Sequence, residues 1–349
     1  NLVRTLGKKV FFVRSNKTKF GGAENYLSCL SEELSKHKID YQIINSTLPK
    51  FLPSWLRVIL FNFSICFFKK KKFYFSLDRV TCPDIYRAGD GVHKVFLSTE
   101  KKSKTNLLHP TYIFLEKRCF NKSKCIVANS HMIKQQIIDT YSIQSEKIKI
   151  IYNGIKLKEF DYKKSFDKLS KEFTIKKNQP IILYVGSGFK RKGVKEFLQI
   201  ISKLRTPDIK AFVIGKEKDI DFYINLSQQL HIDNQVIFTG PREDVDDFYA
   251  ISDIFLLPTH YEPFSNVVLE AMNFENVVFT TRQNGASELL DKRFIMDSPK
   301  DNKVVKSIDN LLSNETNLKE EQIKNREKSK LFSIEENLNK TLEVINDYI

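Results

Sequence analysis

Two carboxylates, Glu262 and Glu270, stand eight residues apart in the stretch from His260 to Met272. The apolar run Ile254 to Leu257 precedes them and reads as a buried parallel strand. A helix is expected to follow, with Phe264, Ser265, Asn266 and Val267 as its first turn. A helix start leaves backbone N–H groups without intrahelical partners, so it favours a phosphate or another anion. A loop carboxylate and a helical carboxylate around that start could grip the hydroxyls of an attached sugar.

Positive charge stands in a second loop, Gly186 to Gly193, which carries Lys190, Arg191 and Lys192. Its spacing matches neither the dinucleotide fingerprint nor the P-loop. Arg191 and Lys192 behind a flexible turn suit a pyrophosphate, Arg by bidentate bonding; the bland alternative is a solvated basic turn. The loop Gly240 to Val245, with Arg242, either holds a base edge through backbone groups or is a simple helix entry. Near the start, Gly21-Gly22 either lets backbone approach a ligand closely or makes a tight turn. Asp90 and His93 lie three residues apart among glycines. Asp90 could orient an acceptor hydroxyl or support positive charge on a sugar, and the pair could equally be a turn Asp with a surface His.

These loops need a frame, and the apolar pattern supplies one. Strands are expected at 9–13, 41–44, 73–77, 125–128 and 149–152, then at 181–185, 211–214, 235–239, 254–257 and 277–280. Helical stretches lie between them. Such alternation argues for an α/β fold with doubly wound parallel sheets, whose ligands bind beyond the carboxyl ends of the strands. The length suggests two domains, and the boundary is placed at Asn153-Gly154: residues 1–155, then 156–333. A final helix over about 334–349 is expected to pack across a neighbouring domain.

The net charge of +15 sits almost wholly in the first half. Residues 1–155 hold 27 Lys and Arg against 11 Asp and Glu, whereas residues 156–349 hold 30 against 31. A basic face of this kind meets an acidic partner. Residues 94–124, with basic and aromatic residues interleaved, could lie on anionic lipid or be a solvated face over an ordinary core helix. Nucleic acid is not expected, because the second half lacks a basic patch. The stretch from Phe51 to Phe68 is apolar, but Pro53, Arg57 and Asn62 interrupt it; it reads as a buried or interfacial helix rather than a span. Five cysteines without C-x-x-C spacing indicate neither zinc nor a disulfide framework. A reducing cytoplasm fits them, and no secretory leader is read at the start.

With Gly21-Gly22, Arg191-Lys192 and the E-x7-E pair Glu262 and Glu270 in view, the chain resembles the family-4 retaining glycosyltransferases of GT-B type over nearly its whole length. Within that family it is most like the glucosyltransferases of lipopolysaccharide core assembly, on Phe20-Gly21-Gly22, Tyr86 to Asp90 and Gly186 to Val194. Asn276-Val277-Val278 stands where members usually carry Gly-Pro-Val, and Ser265-Asn266 replaces a glycine-containing pair.

The resemblance implies two Rossmann-like domains facing an interdomain cleft, with the final helix crossing back to the first. A nucleotide sugar, a UDP-hexose with glucose foremost, would be held mainly by the second domain. Arg191 and Lys192 would neutralise the leaving diphosphate, Glu262 would contact sugar hydroxyls, and Glu270 would take the ribose hydroxyls. Backbone N–H groups from Phe264 to Val267 would meet the sugar or phosphates. Gly186 and Arg242 complete the donor set, Gly22 would let the first domain approach the diphosphate, and Asp90, with His93 nearby, would stand by the reacting sugar and acceptor. No metal or other cofactor is implied. The implied acceptor is a phosphorylated glycolipid at an anionic membrane surface, with the protein peripheral on the cytoplasmic face. A GT-B-fold nucleotide-sugar epimerase is the other enzyme reading.

Overall fold

The computed structural model describes residues 9–16, 22–100 and 106–349. The chain divides into two compact units: residues 1–153 with 334–349, and residues 154–333.

The first unit runs β1 (Val10–Val13), α1 (Gly22–Lys36), β2 (Tyr41–Ile44), α2 (Ser54–Phe67), β3 (Phe73–Ser76) and β4 (Ile85–Ala88). It continues with α3 (His93–Glu100), α4 (Leu108–Lys122), β5 (Cys125–Ala128), α5 (His131–Tyr141) and β6 (Ile148–Ile150). The six strands form one parallel sheet in the order β2-β1-β3-β4-β5-β6. Three of its strands, β3, β4 and β5, are buried throughout, as expected for parallel strands covered on both faces. Tyr26, Leu27, Leu30 and Leu34 of α1 recur at helical spacing and join Phe12 and Phe75 in one core. Ile334, Leu338, Leu342 and Ile345 of the C-terminal helix (Ile334–Tyr348) enter the same core. The Asn337 side-chain amide donates to Tyr152 O at 2.6 Å, and the Tyr26 and Thr341 hydroxyls are 3.1 Å apart.

The second unit runs α6 (Tyr162–Phe173), β7 (Ile181–Val185), α7 (Phe189–Lys192), α8 (Val194–Ile201), β8 (Lys210–Ile214), α9 (Ile220–Gln229) and β9 (Val236–Gly240). Then come α10 (Val245–Ile251), β10 (Ile254–Leu257), α11 (Asn266–Asn273), β11 (Val277–Thr281), β12 (Ile295–Met296), α12 (Lys303–Leu312) and α13 (Glu315–Ser329). Its sheet is also parallel, in the order β12-β11-β10-β7-β8-β9. The strand order reverses direction at β7 and β10, so the loops after these two strands lie side by side.

Several expectations need correction. Strands β4 and β12 were not read from the sequence: β4 carries the buried Arg87 and runs straight into Gly89-Asp90-Gly91, while β12 is two residues long. The helix after β10 begins at Asn266, not Phe264. Ser265 is held extended as its N-cap, and its N–H is taken by the buried Asn284 side chain at 3.2 Å. Cys66 and Cys82 form a disulfide, where the cysteine spacing indicated no disulfide framework. Their separation of 16 residues fits no short motif; only packing of the last turn of α2 on the loop after β3 brings them together. Among the described residues, no helix is long and apolar enough to cross a membrane. Phe20, Gly21, Lys101, Lys102 and Lys104 lie outside the described residues.

Two glycines after β7 differ in a way that can be measured. Gly193 has φ +80°, and a Cβ there would fall 1.9 Å from Pro258 O in the loop after β10. Gly188 has φ +76° but open space around it. Urea unfolding should show Gly188→Ala losing about 1–2 kcal/mol from the left-handed backbone alone. Gly193→Ala should lose about 2–4 kcal/mol, since the backbone must also shift. Equal losses would mean that the approach of α7 to the Pro258 loop is looser than described.

Candidate active site

The second unit brings Arg191, Lys192 and Glu262 together. Arg191 Nη1 donates to Glu262 Oε2 at 2.6 Å and to Tyr261 O at 2.8 Å, and Lys192 Nζ lies 3.7 Å from the same carboxylate oxygen. The side chains are largely but not wholly buried. Arg191 and Lys192 stand in the last turn of the short helix α7, directly before Gly193, the N-cap of α8. Cations in a last turn complement the helix dipole.

Local sequence accounts for this geometry. Gly186 follows β7, and the space where its Cβ would stand is filled by the Lys192 stem, whose Cδ is 2.7 Å from that point. Glu217, beyond β8, accepts the Phe189 N–H at 2.8 Å and so holds the entry to α7. Arg191 O accepts the His260 N–H at 2.9 Å and the Thr259 hydroxyl at 3.2 Å, which ties α7 to the loop after β10. That loop is fixed on its other side: Glu262 N donates to Gln283 O at 2.9 Å and Gly285 N to Glu262 O at 3.0 Å. Asn284, fully buried, completes the frame by accepting from Ser265 N and Ala286 N and donating to Thr280 Oγ1. Asn284 was missed by the sequence reading. Its signal was a polar residue between a strand and the Gly285-Ala286-Ser287-Glu288 loop.

Glu270 stands apart from that ion cluster. Its largely buried carboxylate accepts the Tyr249 hydroxyl at 3.2 Å. Burial pushes its pKa above the ordinary 4.5, against the bond from Tyr249. Phe264 and Ser265 are buried, whereas Asn266 and Val267 are partly exposed. Arg242 forks onto Glu172, at 2.7 and 3.0 Å, and onto Asp244, at 2.8 and 2.9 Å, and lies against Phe248. Its ion pairs are therefore with α6 and the N-cap of α10 rather than with Glu262 or Glu270.

Gly22, Asp90 and His93 belong to the first unit. Gly22 opens α1. Asp90 follows β4 with an exposed side chain, 4.0 Å from Arg79 Nη1. His93 Nε2 is 3.2 Å from His109 Nδ1. A residue missed by the sequence reading holds this region. Glu116 of α4 is fully buried, and its carboxylate accepts from Arg79 Nε at 2.9 Å, His93 N at 2.7 Å and the Tyr141 hydroxyl at 2.7 Å. Arg79 also donates to Gly91 O at 3.2 Å. Glu116 and Arg79 thus fix the Asp90–His93 turn. The signal was its spacing, since Glu116 shares a helical face with Tyr112, Cys119 and Phe120.

Comparison with known proteins adds to this geometry. The family model for glycosyl transferases group 1 matches residues 165–329, and that for glycosyltransferase family 4 matches residues 89–159. This chain belongs to the family-4 glycosyltransferases. Its curated relatives include lipopolysaccharide glucosyltransferase WaaG of Escherichia coli, 34% identical over 110 residues, which is 31% of this chain and 29% of WaaG. The chain spans about half the length, or less, of the curated relatives it matches, 44% for each of the first two. The fold is shared over far more. A crystal structure of WaaG, a glycosyltransferase involved in lipopolysaccharide biosynthesis, superposes with TM-score 0.79 at 19% identity, covering 96% of this chain and 99% of that one. Anabaena HepE in complex with UDP and glucose gives 0.73 at 18%, covering 97% and 100%. The two parallel sheets are those of the GT-B fold, as the family resemblance implied.

Two variants check the buried carboxylates. Glu116→Ala leaves Arg79 without its buried partner and should cost roughly 3–5 kcal/mol in urea unfolding, with Glu116→Gln retaining part of that; a loss near zero would remove Glu116 from the frame. For Glu270 the raised pKa fixes the sign. The folded carboxyl keeps its proton above 4.5, where the unfolded one has lost it, so stability falls as pH rises from there through the raised value. Glu270→Gln should match the parent below about 4.5 and become the more stable protein towards neutrality. Parallel melting curves at every pH would contradict this.

Proposed function

We propose that this chain is a retaining glycosyltransferase that moves a hexose, glucose first, from a UDP-sugar to a phosphorylated acceptor of the lipopolysaccharide or lipooligosaccharide core type. The observation that carries the reading is the convergence of Arg191 and Lys192 on Glu262 beyond the carboxyl end of the second sheet. Two cations beside one carboxylate leave a net positive site that fits a diphosphate, whose charge grows as its bond to the sugar breaks. Cations aimed at that growing charge stabilise the transition state more than the ground state. The same role needs no metal ion.

In this reading Glu262 turns from Arg191 towards sugar hydroxyls when the diphosphate arrives, and Glu270 accepts from the ribose hydroxyls. The backbone from Phe264 to Val267 lines the sugar side, and Gly186 lets Lys192 reach the phosphates. Gly22 belongs with the donor set, and Asp90 and His93 serve the acceptor side, Asp90 by orienting the attacking hydroxyl. The departing phosphate oxygen takes that hydroxyl's proton as the new glycosidic bond forms on the same face. Arg242 acts indirectly, by fixing the loop before α10 next to the base. Two known proteins support the donor and acceptor classes: HepE, crystallised with UDP and glucose, shares the fold, and WaaG, a lipopolysaccharide glucosyltransferase, is a relative. The basic first half and residues 94–124 fit an acceptor presented at an anionic membrane surface, with the protein peripheral on the cytoplasmic face.

Calorimetry against a panel of UDP- and GDP-hexoses in EDTA tests the donor. One UDP-hexose should bind, and Arg191→Ala and Glu262→Ala should each weaken it by about tenfold or more. A panel without binding, or variants that bind like the parent, would overturn the reading. Product analysis with donor alone separates transfer from epimerisation.

A further inference from the structure

Helix α2 has two apolar faces, whereas a helix on the surface of a globular protein needs one. The inner face is accounted for: Phe61 and Ile65 pack with Val13, Tyr74 and Val80. The outer face carries Ile59, Leu60, Phe63 and Phe67, with Phe68 just beyond, and the three phenylalanines are 67%, 68% and 56% exposed. Phe63 and Phe67 stack at 6.0 Å, and Phe68 meets Phe67 edge-on at 5.1 Å. A contiguous patch of this kind on a surface marks an interaction site.

The chain around it is basic without exception. Residues 41–77 contain Lys50, Arg57 and Lys69 to Lys72, and no Asp or Glu. Lys69 is taken by Asp84 at 2.8 Å and Lys72 is half-buried over the Phe11 ring, but Lys70 and Lys71 are exposed directly beyond the aromatic stripe. The inner face is anchored at three places. Asn62 Oδ1 accepts the Thr81 N–H at 2.7 Å, the Tyr74 hydroxyl donates to Ile65 O at 3.2 Å, and Cys66 is bonded to Cys82. The outer face is therefore presented rigidly and gives up little freedom on binding.

We propose that α2 inserts its outer aromatic stripe into an anionic lipid surface, with Lys70 and Lys71 meeting the headgroups. This rests on the membrane-acceptor reading above and adds to it: the inserting element is α2, outside the 94–124 stretch. Charge complementarity selects the occupant. A second copy of this chain, at net +15, would bring lysines against lysines, whereas anionic headgroups neutralise them. Neighbouring α4 extends the surface with Phe114, 54% exposed beneath the Arg118 guanidinium.

The chain carries its own reporter, because its only tryptophan, Trp55, lies in the first turn of α2. The test uses the full chain and phosphatidylcholine vesicles with and without phosphatidylglycerol. Binding to the anionic vesicles should shift Trp55 emission to the blue, and brominated acyl chains should quench it. Phe63→Ser with Phe67→Ser should weaken binding by about tenfold or more, while affinity for the nucleotide sugar is unchanged. Lys70→Ser with Lys71→Ser should abolish most of the preference for anionic vesicles. If the phenylalanine variant binds vesicles like the parent, insertion by α2 is overturned and surface attraction alone stands. If the parent binds neither vesicle, the membrane reading itself falls, and this proposal with it. A dimer that the phenylalanine variant dissociates, with vesicle binding unchanged, would make the patch a self-interface and also overturn the proposal.

Discussion

The second unit is arranged around one ion cluster, the Glu262 carboxylate against the Arg191 guanidinium at 2.6 Å with Lys192 beside it. Two adjacent cations repel, and a partly buried site weakens the screening that water would supply. Glu262 makes their proximity tolerable. Close approach of the loops after β7, β8 and β10 makes it possible, and that approach has steric conditions. Gly193 lies against Pro258 O, and Gly215, at φ +153°, leaves no room for a Cβ against Gly186 O. Side chains at these points would push the strand ends apart and separate Arg191 from Glu262.

The first unit solves a related problem with opposite charge. Glu116 is a fully buried carboxylate whose cost is offset by donors from three separate elements. A buried charge with several partners is weak evidence for net stability but strong evidence for a defined arrangement. Here the arrangement is the turn that carries Asp90 and His93. In both units a polar centre fixes a loop at the carboxyl end of a parallel sheet, while the apolar strands beneath it carry the burial energy. Helix α2 lies outside this logic. Its inner face belongs to the core, and its outer aromatic residues are exposed.

Much of the fold was legible because parallel strands buried on both faces are continuous apolar runs. Strands 125–128, 181–185 and 254–257 fall where the sequence places them. The missed strands were those whose composition departs from that rule, β4 with Arg87 and β12 with two residues. The start of α11 was displaced because no local signal shows that Asn284 takes the Ser265 N–H. The Cys66–Cys82 bond was invisible for the same reason, since cysteine spacing reports a pairing only when the partners belong to one short motif.

By itself the sequence determined the residue types at the proposed donor site, Arg191, Lys192, Glu262 and Glu270, and the apolar periodicity that puts them in loops or helices after strands. Those are local properties, set by side-chain chemistry and by spacing along the chain. Tertiary structure alone decided which of them meet. It joined Glu262 to Arg191 and Lys192, gave Glu270 to Tyr249, and committed Arg242 to Glu172. It also revealed the positioning roles of Asn284 and Glu116 and the unclaimed outer face of α2. Partners 21 to 71 residues apart leave no trace in local pattern, because packing of the sheet ends, not chain distance, sets who can reach whom.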